Sequence, residues 1–157
     1  APAVTAKAES DETAISVAGL GQDGEYYVLG IEGMRLPPQQ WAQRALDLYD
    51  QWGADKIVAE VNNGGDMVIE TVRRAADAQG RSVNVEAIRA SRGKTLRAEP
   101  IAALYEQGRV HHVGIFDEAE DQLCSFPVAN EHDDQVDAVV YALSDLARVG
   151  SVNIRFI

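Results

Sequence analysis

A second cysteine is missing from the 157 residues, so Cys124 cannot close an internal disulfide, and the chain suits a reducing compartment. That cysteine reads as a small buried apolar residue. No apolar stretch nears the roughly 20 residues of a membrane span. The opening APAVTAKAESDE lacks the basic-then-apolar order of a signal peptide. Zinc-ligand spacing and a DNA-reading helix are both absent. Bases are scarce: 14 Lys and Arg stand against 25 Asp and Glu, for a net charge of −11. Composition alone therefore argues against a nucleic-acid partner. Acids that collect divalent cations are the exception, because the metal inverts the local field. With no repeats and no low-complexity linker, residues 1–157 read as a single domain large enough to bury a core.

What is present falls into alternating runs. AISVAGL (14–20) and EYYVLGI (25–31) are β-rich and flank GQDG, whose D-G pair predicts a hairpin. Pro37 and Pro38 open a helix in which Trp41, Ala45, Leu48 and Trp52 recur at helical spacing until Gly53 stops it. KIVAEV (56–61) predicts a strand, NNGGD a turn, and 66–79 a helix ending at Gly80. VNVEAI (83–88) is a further strand, ASRGK a loop, and TLRAEPIAALYEQG a helix ending at Gly108. RVHHVGI then predicts a short strand, DEAEDQLCSF a short helix, and 133–148 the last helix. A hairpin followed by β-α alternation implies an α/β fold, a mixed sheet with helices on both faces. Ligands of such sheets gather beyond the carboxyl ends of the central strands.

Glu60 lies near such an end, just before NNGG, where the backbone can swing away. It is either a carboxylate in an open mouth or a solvent-facing residue at a strand end. Further on, NEHDDQVDAVVYAL (130–143) crowds Glu131, His132, Asp133, Asp134 and Asp137 into one helix start, more than capping needs. Asp134 and Asp137 stand three apart and share a helix face. Asp133 points about 100° away from Asp134 and suits an N-cap or an outer acid. His132 either orients a water, donates to a phosphate, or is a plain surface histidine. Magnesium and manganese take carboxylate oxygens, with waters and substrate phosphates completing their shells. Two-ion cleavage of a phosphodiester needs such acids from separate elements. Two readings stand here: the acids hold divalent ions, or they only begin a helix.

Four segments in order, APAVTAKAESDETAI (1–15), IVAEVNNGGDMV (57–68), SRGKTLRAEPIAALYEQGRVHH (91–112) and NEHDDQVDAVVYAL (130–143), resemble the nuclease domain of the large terminase subunit of tailed double-stranded DNA phages. Relatives in prophages and gene-transfer agents belong to the same group. The resemblance covers most of the chain, and its third and fourth segments are the most specific. It implies an RNase H-like fold and an endonuclease that cuts concatemeric double-stranded DNA during genome packaging, using two Mg²⁺ or Mn²⁺ ions. By that match Glu60, Asp134 and Asp137 are the catalytic, metal-holding acids, with His132 and Asp133 as secondary candidates. Lys94 and Arg97 fall in a basic K-x-x-R stretch that looks like a contact to the DNA backbone. Two cations one turn apart can hold a phosphate without reading sequence; otherwise they are solvated charges at a helix start.

The family places its first catalytic aspartate immediately before PA, where this chain has Ala1. The first central strand is therefore expected to be missing, and the chain to be inactive. VNIRFI (152–157) is β-prone and could occupy a strand edge in its own or a neighbouring chain, although its role is left open. The implied partners are double-stranded DNA, the portal protein and the small terminase subunit. The resemblance implies no membrane, oligomers only within the packaging motor, and a place at the procapsid portal in the host cytoplasm.

RGKT (92–95) imitates part of an ATP-binding loop, but Ile88 stands where the leading glycine belongs, so no ATPase domain is expected. His111, His112, Trp41, Tyr49 and Trp52 read as packing residues. Two rival functions remain: a non-catalytic DNA- or portal-binding packaging module, and another RNase H-like nuclease of resolvase or transposase type.

Overall fold

The computed structural model of the chain describes residues 2–9, 12–60, 66–88, 94–125 and 134–153. Its first three strands form a meander. β1 (Pro2–Glu9) pairs antiparallel with β2 (Glu12–Leu20), which pairs antiparallel with β3 (Tyr26–Met34). Gly24 takes φ 80° in the β2–β3 turn, a conformation that favours glycine. The Asp23 carboxylate braces the turn by accepting from the Glu25 N–H at 2.9 Å and the Tyr27 hydroxyl at 2.6 Å.

α1 (Pro38–Trp52) begins on a proline, where a missing N–H costs nothing, buries Trp41, Ala42, Ala45, Leu46 and Leu48, and ends at Gly53 in the left-handed conformation. Then follow β4 (Lys56–Glu60), α2 (Asp66–Ala78), β5 (Val85–Ile88), α3 (Lys94–Glu106), β6 (Val110–His112), α4 (Asp117–Ser125) and α5 (Asp134–Asn153). Among the described residues the strands make one sheet in the order β5-β4-β1-β2-β3-β6. β4 runs parallel to β1 and β5, and β6 parallel to β3. On one face Ile15, Val17 and Ile57 pack against α1 and α2 through Trp41, Leu46 and Val72. On the other, Ala18 and Val28 pack against α3 and α5 through Ile101, Val139 and Leu143. Ile57, Val58 and Ala59 of β4 have no exposed surface, as a strand covered on both sides requires.

The mixed sheet with helices on both faces is the expected one, with three corrections. The first central strand is present: Pro2–Glu9 fills the place between β2 and β4. Left empty, that place would expose two rows of unpaired backbone groups. The tail does not begin as a strand, because Val152 and Asn153 continue α5; residues 154–157 lie outside those described. Cys124 is exposed, since α4 lies at the surface. No described helix is long and apolar enough to cross a membrane.

Candidate metal and DNA site

Glu60 is the last residue of β4 and pairs in register with Ile88, the last residue of β5. Asp134 is the first residue of α5. Two contacts set how α5 lies against these strands. The Asp145 carboxylate, whose side chain has no solvent exposure, lies 2.8 Å from Nζ of Lys56, the first residue of β4. Arg148 flanks it at 3.0 Å, and Lys56 also reaches Glu86 at 3.1 Å. Nearer the start of α5, the ring of Tyr141 carries the Arg97 guanidinium at 4.7 Å. Arg97 stands in the first turns of α3, the helix that follows β5.

From Asp145 back to Asp134, then, α5 runs from the beginning of β4 toward the end where β4 and β5 finish. Lys56 to Glu60 spans about 13 Å of strand, and Asp145 to Asp137 about 12 Å of helix. By these lengths Asp137 stands about as far from Asp145 along the helix as Glu60 does from Lys56 along the strand. Asp137 is 4 % exposed and sits in a stretch buried without a break from 135 to 143. A carboxylate so placed needs compensating charge or hydrogen bonds, and the helix dipole supplies part of it.

For Glu60, Asp134 and Lys94 the backbone is described but not the side chain, and His132 and Asp133 lie outside the described residues. Among the described residues no group of three His, Cys, Asp or Glu side chains is gathered to hold a metal. The chemistry of the candidate set still fits a hard divalent cation: Glu60, Asp134 and Asp137 offer only carboxylate oxygens, from two separate elements. Ala1 also lies outside the described residues. Its neighbour Pro2 opens β1, and Ala3 is level with Lys56 at the beginning of β4.

Between β5 and the first turns of α3 the chain reads IRASRGKTLR (88–97), in which Arg89, Arg92, Lys94 and Arg97 stand without an acid. In a chain of net charge −11, this is a local excess of base that follows in sequence on β5, the strand paired with β4. The histidines pack as expected. His112 joins three elements, with Nε2 2.7 Å from the Tyr105 hydroxyl and Nδ1 3.1 Å from Glu120. Burial pushes the Tyr105 hydroxyl well above its ordinary pKa. His111 lies against the Tyr27 ring at 5.3 Å. Trp41 is in the core, with Tyr49 and Trp52 packed against it.

The pair of Lys56 and Asp145 escaped the sequence reading. Its signal was there: Asp137, Tyr141 and Asp145 recur every fourth residue along an otherwise apolar helix, which puts two acids on one face.

The sequence profile of the terminase RNaseH-like domain matches residues 2–146. No sequence among curated proteins matches the chain. Among solved structures, the large terminase nuclease from thermophilic phage G20c superposes with a TM-score of 0.72 at 22 % identity, covering 91 % of this chain and 81 % of that one. The HK97 bacteriophage large terminase gives 0.61 at 14 % identity, over 90 % of this chain and 38 % of that one. The fowlpox virus Holliday junction resolvase gives 0.59 at 12 % identity, over 95 % and 99 %. At these identities the likeness establishes the fold, which is RNase H-like.

Proposed function

The chain belongs to the terminase RNaseH-like domain family, and from that premise we propose that it is the divalent-metal-dependent endonuclease domain that cuts concatemeric double-stranded DNA during phage genome packaging. The observation that supports this reading is the family match over residues 2–146, together with two contacts, Lys56 with Asp145 and Arg97 with Tyr141, that set how the helix bearing Asp134 and Asp137 lies relative to the strand that ends at Glu60. Glu60 and Asp134 hold Mg²⁺ or Mn²⁺ in a pair, and Asp137 completes the acidic face one turn further along the helix. When bound, such ions lower the pKa of an attacking water and offset the charge that builds on the leaving oxygen. Lys94 and the arginines before it lie against the phosphates of the duplex and position it without reading its bases. His132 and Asp133 are secondary candidates for orienting water or an outer ligand. The portal protein and the small terminase subunit are its partners in the packaging motor, at the procapsid portal in the host cytoplasm.

One alternative has support of its own. The likeness to a Holliday junction resolvase runs over nearly the whole of both chains, and favours a nuclease for branched DNA. The test is nicking of supercoiled plasmid with Mg²⁺ or Mn²⁺, beside linear duplex and a four-way junction. The proposal expects cutting of duplex that EDTA abolishes and that Glu60→Ala and Asp134→Asn each reduce at least a hundredfold. Selective cutting of the junction would favour the resolvase reading. Folded protein that binds duplex and cuts nothing would leave a non-catalytic packaging module.

A further inference from the structure

We infer that Arg97 is a positioning residue, which holds the acidic first turns of α5 against α3, and is not a contact to DNA. The inference rests on the nuclease reading above for what it positions, but not for the contact itself. Arg97 belongs to the basic stretch by sequence, yet its side chain is committed inward. The guanidinium carbon lies 4.7 Å from the centre of the Tyr141 ring, within the range of a cation held on an aromatic face. Its Nη1 is shielded from solvent, and so is the Tyr141 hydroxyl, which has no hydrogen-bond partner among the described residues. The ring, not the hydroxyl, is what Tyr141 offers Arg97.

The neighbours of this pair show what it holds. Ala98 and Ile101 of α3 belong to one buried cluster with Val136 and Val140 of α5, so the two helices meet through small and branched side chains beside the cation. Tyr141 is one turn beyond Asp137 on the same face of α5. A fixed positive charge therefore lies alongside the turn that carries Asp137 and, a further turn back, Asp134. A guanidinium suits this task because it stays charged and its plane stacks on a ring while its stem packs against apolar surface. Lys94 stands one turn earlier in α3, at its N-terminus.

Three readouts on the full chain separate positioning from phosphate contact. In EDTA, the affinity for a 30-base-pair duplex is measured against salt. Lys94→Gln is expected to reduce the slope of log affinity on log salt by about one, while Arg97→Gln leaves it unchanged. Amide hydrogen exchange in residues 134–141 is expected to quicken at least tenfold in Arg97→Gln and in Tyr141→Leu, but not in Tyr141→Phe, which keeps the ring. In cleavage, Arg97→Gln is expected to lower kcat at least tenfold with KM for DNA unchanged, and Arg97→Lys to recover part of the loss. A slope reduced by one in Arg97→Gln, or a raised KM with kcat unchanged, would overturn the inference. So would unaltered exchange in Tyr141→Leu, a variant that decides the matter even if Arg97→Gln does not fold. A chain that neither binds nor cuts DNA would sink the nuclease reading, and the exchange measurement would still decide whether Arg97 holds α5.

Discussion

Lys56 Nζ lies 2.8 Å from Oδ2 of Asp145, joining the first residue of β4 to the second half of α5. The carboxylate is wholly out of solvent and the ammonium nearly so, so each group depends on the other and on Arg148 and Glu86 around them. Together with Arg97 on Tyr141, this contact sets the direction in which α5 crosses the sheet. An apolar contact could slide by a turn at small cost. A buried ion pair that slides leaves a charge without a partner, and so it fixes the level at which the helix begins.

Lys56→Met should therefore lower stability by about 3 kcal/mol, the low end for a buried pair deprived of one partner, because Arg148 still flanks Asp145. Replacing both, Lys56→Met with Asp145→Leu, should cost less than Lys56→Met alone, since no charge is then stranded. Urea midpoints at unchanged slope read both effects. A midpoint unmoved by Lys56→Met would show that the pair holds nothing.

At acid pH the Asp50 carboxylate contributes. Arg81 hydrogen-bonds to it and holds its pKa below the ordinary 3.8. The folded value is the depressed one, so the stabilisation is complete above the ordinary value and is lost as pH falls through the folded value. Asp50→Asn removes that dependence. Melting temperature followed downward from about pH 5 should fall less steeply in Asp50→Asn than in the parent chain; parallel curves would mean that the pair is broken in solution.

At alkaline pH the sign reverses. Burial, then the charge of Glu120, raises the Tyr105 hydroxyl above its ordinary 10.0. The fold favours the protonated phenol, so its contribution is intact below 10.0 and is lost as pH rises beyond it. Tyr105→Phe should flatten the decline of stability above about pH 10, and at neutral pH should cost a modest amount for the bond to His112. A decline as steep as in the parent would assign the alkaline limb to other groups.

The local elements could be read because their signals are local. Gly53, Gly80 and Gly108 adopt φ of 58°, 68° and 68° at the three helix ends where the sequence placed stops. The D-G turn closes the β2–β3 hairpin, and Trp41 and Leu48 point into the core as their spacing predicts. What stayed hidden depends on distant partners. PAVTAKAE carries few large apolar residues, and it becomes a central strand because β2 and β4 each need a neighbour. Lys56 and Asp145 look like a surface charge and a lapse in an apolar stripe until the fold joins them. Glu60 and Asp134 were legible as candidates from residue type and element ends; the contacts that orient α5 on the sheet were not.

The register of β1 leads to the last prediction, which sets the structure against the resemblance. A carboxylate that shares an ion with Glu60 must lie within a few ångströms of it, because oxygen ligands sit about 2.0–2.1 Å from Mg²⁺. Ala3 is level with Lys56 and so already stands about 13 Å along the strands from Glu60. Ala1→Asp should therefore raise neither plasmid nicking nor Mn²⁺ affinity in the titration of this chain. A gain lost again with Glu60→Ala would mean that β1 had slid. To bring position 1 level with Glu60, it would move six residues from the pairing of Ala3 with Lys56. Six is an even shift, so every side chain of β1 would keep its face of the sheet, and the slip would cost no inversion of the buried pattern.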